Sequence, residues 1–554
     1  MVADPWVLIL TPLLLSTSAA ADFAEHRVWA IVARKFAIAA SLVLAWMVSV
    51  GGAVQLHLYR WMEVGDRHID IGLFCDGQTA ALLVLVAVSS TLSALIGGGQ
   101  TRAGGAASLA AAGAGLVIIA DGNLLALVGL ELLLAATFLH AAQSSPTAGA
   151  ARRVLFYARL AALAFVGTLV FVDTLVVSWL VLLTAAVLVG AWPFHPWLED
   201  LGESGTATGI RLAAALTGVC LLLRFAVPMP ALAGVVLLAL SCGVQTLSAL
   251  ASQDLFRVQM MTAAAQGSLV LAAVLVDPMV ALLLLPLYGA TQISSAVAQA
   301  SIAEALPSVA KRFVDLGGLA PELPWPRGLA LAAVFVCSLS APALWAHTTL
   351  ANIGFAEAGL PGAALVAILF VLPNLPLARL ALLPFAGPVR HQTRSVTLAA
   401  RLPHWVALTA LSLAATIPVA VAWLAGPPTL NVAAAFAAGA GVVVVLAGLL
   451  LWRAGPGPTA AVESSLRSFA AHGFGVTRCL QACGVGLEVV GRFLWTALDG
   501  VLFGGIPGGM TLGVRAAGWL LARLHDGWSG WAVATALGTI AILLWSMQVG
   551  GTSW

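Results

Sequence analysis

The sequence predicts an all-α polytopic membrane protein with about 16 transmembrane helices. Composition predicts it first: the 554 residues are 61% hydrophobic and only 9% charged, more apolar surface than a soluble fold can hide. Apolar runs long enough to span a bilayer then recur along the whole chain. Finally, residues 181–225 set Pro193 and Pro196 around Phe194 and His195, between two apolar helices. Glu199, Asp200, Glu203, Ser204, Thr206 and Thr208 follow at once. Non-helical backbone survives at membrane depth only where protein or a water-filled cavity satisfies it. The break therefore reads as an ion or proton path, or as a helix end resting in the headgroups.

The runs fall at 6–21, 30–55, 78–98, 105–120, 122–143, 153–172, 174–192, 207–227, 229–250, 258–276, 278–301, 327–346, 361–378, 404–424, 432–452 and 529–548. The first reads as a membrane helix because its leading residues carry Asp4 and no Lys or Arg, unlike a secretory signal. Arg27, Arg34, Lys35, Arg102, Arg152, Arg153, Arg257, Lys311, Arg312, Arg390, Arg394 and Arg453 fall on one side. Asp66, Asp70, Asp76, Asp121, Asp173 and Asp277 fall on the other, so both termini are expected to face away from the cytoplasm. Residues 60–77 alternate apolar and polar, as a β-hairpin would. Beyond Arg453, AGPGPTAAVESS reads as a linker, and 466–526 as an amphipathic helical segment along the membrane, interrupted at GGIPGG (504–509).

Glu131 lies within an apolar helix, where an unpaired carboxylate is costly and hence a functional candidate. Arg159, on the next helix, is either its counter-ion or snorkels to the headgroups. His347 can carry a proton near neutral pH, or it is a satisfied surface residue at a helix end. Gln292 could hold a water chain or bond helix to helix. Only two of the 25 basic residues, Lys35 and Lys311, are lysines, and neither is mid-span. The six cysteines form no CxxC and no iron–sulfur run, so no metal and no disulfide framework are expected. A net charge of +2 without a basic patch gives no reason to expect nucleic acid.

WPFHPWLED resembles the FPLHxWLPDA signature of the antiporter-like membrane subunits of respiratory complex I, in the Mrp antiporter superfamily. The rest of the chain follows that family in order. RWMEVGDRHIDIGLFCDG resembles its segment before the third helix. Glu131 falls on its fifth-helix glutamate, with Leu130 for the usual Trp. Arg159 falls on the Arg of its NRxGD pattern, with Ala162 for the Asp. Asp254, Arg257 and Gln266 match its TDLKRxLAYSTxSQLG segment. KRFVDLGGLAPELP resembles its GGL segment, Arg379 its later arginine, ARLPHWVAL its next helix, and the tail the lateral helix of the L-type subunit. The family's lysines are replaced: Val187 or Leu188, Phe256, Gln292 and His347 stand in their places, and Tyr288 stands for a His.

The resemblance implies two inverted five-helix repeats with broken helices (105–227 and 228–378). They follow N-terminal helices with a periplasmic hairpin (1–104). C-terminal helices (379–453), a linker with a lateral amphipathic helix (454–528) and a last anchor (529–554) complete the chain. It implies a multi-pass subunit in a bacterial inner membrane, embedded in lipid beside other membrane subunits of an NADH:quinone oxidoreductase. It would translocate protons along Glu131, Arg159, His195, Gln292 and His347, with no cofactor, no redox chemistry and no catalytic residue of its own. The missing lysines leave a non-conducting scaffold paralogue open. The membrane subunit of a DAB-type inorganic-carbon pump, then a Mrp-type antiporter, are further alternatives.

Overall fold

The computed structural model describes residues 6–386, except 65–66, 97–100, 145–147, 172, 226–230, 307–311 and 314, and beyond them scattered positions and residues 441–444, 469–475 without 472, and 506–524. The helices are α1 (Val7–Phe23), α2 (Arg27–Gly51), α3 (Gly77–Ile96), α4 (Thr101–Ile119), α5 (Asn123–Ser144), α6 (Ala148–Val170) and α7 (Thr174–Val189). They continue with the short α8 (Pro196–Asp200), then α9 (Gly205–Phe225), α10 (Ala231–Ala251), α11 (Leu255–Val276), α12 (Pro278–Ala305), α13 (Pro324–Leu339) and α14 (Ala341–Leu382). Among the described residues, ten helical segments are long and apolar enough to cross a membrane, and three shorter apolar helices join them. These account for the first thirteen expected runs. Those at 404–424, 432–452 and 529–548 lie largely outside the described residues.

Small residues set the helix spacing. Gly113 of α4 and Gly129 of α5 pack backbone to backbone: a Cβ on Gly113 would lie 2.6 Å from the Gly129 carbonyl oxygen. Close approach of this kind replaces the hydrophobic drive that lipid removes. The hairpin is longer than the sequence suggests, with β1 (Val54–Val64) antiparallel to β2 (Arg67–Cys75). Its added residues Val54–Tyr59 do not stand out because they continue the preceding apolar run. Asp121, at the α4–α5 turn, pins the hairpin: its backbone N–H donates to the Gly72 carbonyl, and its carboxylate accepts from Gln55 Nε2 at 2.8 Å.

Three expectations are corrected. Arg34 is not a loop charge. It is buried inside α2, where its guanidinium pairs with the buried Asp22 of α1 and donates from Nε to Ser108 of α4 at 3.1 Å. An unpaired charge there would be expensive, and the pair ties three helices together. The run at 327–346 is not one straight span. α13 stops at Leu339, Ser340 takes extended geometry (φ −65, ψ 155), and α14 starts beyond it and bends at Gly359 (φ 64). Lastly, helix α15 (Ile506–Leu524) runs through Gly508 and Gly509, so GGIPGG does not interrupt it there. Its prolyl residue, Pro507, falls in the first turn, where a missing N–H costs nothing. α15 belongs to a second compact unit, 478–554, distinct from 1–477.

Candidate functional site: the break between α7 and α8

α7 ends where Gly190 adopts left-handed geometry (φ 73). A side chain is excluded on a second ground, since a Cβ there would lie 2.4 Å from Leu198 Cδ1. Pro193 follows a cis peptide bond, and Pro196 opens α8. The chain leaves helix for six residues within an apolar bundle, so its backbone groups need partners. Trp197 Nε1 donates back to the Val187 carbonyl at 2.8 Å. Gln245 of α10, fully buried, donates from Nε2 to the Gly190 carbonyl at 2.7 Å. The Trp192 N–H donates to Ser241 Oγ at 2.7 Å, and Ser241, Ser268 of α11 and Gln245 bond to one another. The break is thus capped by the following helices, through residues that carry no sequence motif.

The far end of α8 is held by cations. Arg211 of α9 donates to the Leu198 and Gly202 carbonyls at 3.1 and 3.2 Å, and to Thr208 Oγ1 at 3.2 Å. It serves as the positive cap that a helix C-terminus favours. Sequence reasoning missed it because it looks like one more polar residue at a helix start. Asp200 takes two hydrogen bonds from Arg153 of α6, at 2.9 and 2.6 Å, and Glu199 takes two from Arg257 of α11, at 3.3 and 3.2 Å. Asp254 caps α11, its Oδ1 accepting from the Arg257 N–H at 2.8 Å. The segment that resembles a family motif therefore acts here by placing Arg257 on Glu199 of the break.

His195, at the centre of the break, is 1% exposed, and neither ring nitrogen has a hydrogen-bond partner among the described residues. A turn from the C-terminal region covers it. Trp192 Nε1 donates to the Gly473 carbonyl at 3.3 Å, and a Cβ on Gly473 (φ 67) would lie 2.6 Å from His195 Nε2. Val187 and Leu188, the two positions that the resemblance leaves for a lysine, line a cavity of about 10 Å³ with Leu134, Thr137, Tyr157 and Trp197. That is room for about one water.

The other predicted residues occupy two separate places. Glu131 and Arg159 meet on the outer face of α5 and α6, in two hydrogen bonds of 3.1 and 2.9 Å, their side chains 38% and 50% exposed. Arg159 is the counter-ion, not a snorkelling residue. Gln292 and His347 are buried in the second half. Gln292 Nε2 donates to Gln266 Oε1 at 2.9 Å, Gln266 Nε2 to Asn374 Oδ1 at 3.2 Å, and Asn374 Nδ2 to the Phe370 carbonyl at 3.0 Å. The Phe370 ring lies on His347, with centroids 3.7 Å apart. His347 is well inside α14 and buried, which removes the reading of a surface residue at a helix end. Its Nδ1 has no partner among the described residues. Asn374 carries no sequence signal beyond being a lone amide in an apolar stretch.

Many apolar helices, with an interruption capped by buried polar side chains and carboxylates paired to arginines, describe a polytopic membrane protein. No protein-family profile matches the chain, and no curated protein matches it. Among the solved structures that share the fold are the two that follow. A chain of the Mrp complex from Dietzia sp. DQ12-45-1b aligns with TM-score 0.62 over 81% of this chain and 100% of that one, at 14% identity. A chain of respiratory complex I from Thermus thermophilus aligns with TM-score 0.62 over 79% and 99%, at 17% identity.

Proposed function

We propose that this chain is a proton-translocating, antiporter-like membrane subunit of a complex I-type NADH:quinone oxidoreductase in a bacterial inner membrane. The observation that carries the proton reading is the state of His195 and His347. Both are buried, and among the described residues both Nδ1 atoms and the Nε2 of His195 have no partner. Buried polar atoms are almost always satisfied, and an imidazole both takes and gives a proton near neutral pH. Histidine would thus take over carrier work that lysine does in the family, with water joining the two broken helices. Quinone reduction elsewhere in the assembly would drive the transfer electrostatically.

Membership in an assembly is supported by Glu131 and Arg159. They sit near the middle of α5 and α6, partly exposed on the perimeter. Ionisable groups at such depth almost always face protein or a water-filled cavity, which a neighbouring membrane subunit would supply.

One set of contacts favours a second reading, a non-conducting scaffold paralogue. Val187 and Leu188 give an apolar wall where the resemblance would put a lysine, and Gln292, Gln266 and Asn374 are amides that do not titrate. Proton pumping by the intact assembly in liposomes separates the two. The pumping reading expects Glu131→Gln to lower the protons moved per electron, with assembly and electron transfer retained. An unchanged ratio makes the chain a scaffold.

A further inference from the structure

We propose that His140 is a proton-transfer residue of the first half, joining the polar mouth of the break to the cavity under Leu188. This rests on the proton-translocating reading above and adds a site to it.

His140 lies on α5, 1% exposed, two and a half turns from Glu131 toward the α5 C-terminus. Its Nε2 is 3.2 Å from the Leu201 carbonyl oxygen and 3.5 Å from Ser204 Oγ. Ser204 Oγ is in turn 2.8 Å from Thr206 Oγ1. One side of the ring therefore meets the hydroxyls of the loop between α8 and α9. The other nitrogen, Nδ1, is buried without a partner among the described residues. One turn back along α5, Thr137 lines the cavity, and opposite it is Tyr157, whose hydroxyl is also buried and has no partner among the described residues.

The surrounding charges are already engaged. Arg211, from α9, is committed to the Leu198 and Gly202 carbonyls and to Thr208. Asp200, from α8, is held by Arg153 of α6. Unlike these groups, the His140 ring has a nitrogen without a partner among the described residues, open to take a proton. In the tautomer whose Nε2–H donates to Leu201, the Nδ1 lone pair accepts the proton. Loss of the Nε2 proton then leaves the other neutral tautomer. One proton enters and one leaves, and no electrons move.

A purely structural histidine would need only its hydrogen bond to Leu201. His140→Gln keeps a donor in that direction but does not titrate. In liposomes holding the intact assembly, we expect His140→Gln to remove this chain's share of the pumped protons while electron transfer continues. A ratio lowered by Glu131→Gln but untouched by His140→Gln overturns the His140 proposal alone. A ratio untouched by either variant overturns the pumping reading as well. Should His140→Gln fail to assemble, Tyr157→Phe tests the same path from the cavity side, and an unchanged ratio there also overturns it.

Discussion

Arg159 grips Glu131 across α5 and α6 in a two-point fork, Nη1 to Oε1 at 3.1 Å and Nη2 to Oε2 at 2.9 Å. Two of the five guanidinium donors are used, so the group is ionically paired but not saturated. Removing one partner leaves a lone charge near mid-membrane, whereas removing both leaves none. Arg159→Ala is therefore expected to destabilise the protein by about 1–3 kcal/mol, reduced from the buried-pair range because both side chains are partly exposed. Arg159→Ala combined with Glu131→Gln is expected to recover most of that loss. Thermal unfolding in detergent measures both; equal losses in single and double variants would dissolve the pair as an energetic unit.

The cap on the first break makes a second expectation. Gln245→Leu leaves the Gly190 carbonyl without its donor and breaks the Ser241–Ser268 network at one corner. A buried acceptor stripped of its partner costs about 1–3 kcal/mol. The loss should be read as a lower unfolding midpoint. No shift would mean that the break is satisfied by other groups.

Gly190→Ala faces two separate penalties. Left-handed geometry costs a non-glycine residue about 1–2 kcal/mol, and contact with Leu198 adds an overpacking cost of about 1–3 kcal/mol. Adding Leu198→Ala relieves only the second. Full rescue by that change would show that backbone geometry does not matter at this turn.

Restoring a lysine should not restore a relay. Leu188→Lys would place an ammonium in a cavity of about 10 Å³ with mostly apolar walls. Burying a charge without a partner is strongly unfavourable. Lower membrane yield and no gain in protons per electron are expected. A stable variant that pumps more would mean that water reaches this cavity freely.

The two breaks were not equally legible. Pro193, His195 and Pro196 advertise the first, because two closely spaced prolines cannot continue a helix and the polar residues after them end the apolar run. The interruption at Ser340 is hidden in SLSAP, where one proline after two small residues could sit in any helix start. Its only local sign is the serine hydroxyl that accepts from the Ala343 N–H.

Apolar periodicity determined the helices themselves, since bilayer thickness fixes a length that composition alone reveals. The sequence also singled out Glu131, Arg159, His195, Gln292 and His347, because a polar side chain is conspicuous in an apolar run. Tertiary structure alone decided what each one touches. It put Arg34 on Asp22, Arg257 on Glu199, Gln245 on Gly190 and Gln266 between Gln292 and Asn374. These partners come from helices up to 108 residues apart along the chain. Hydrogen bonding depends on atoms within about 3 Å, a condition that helix packing sets and linear spacing does not encode.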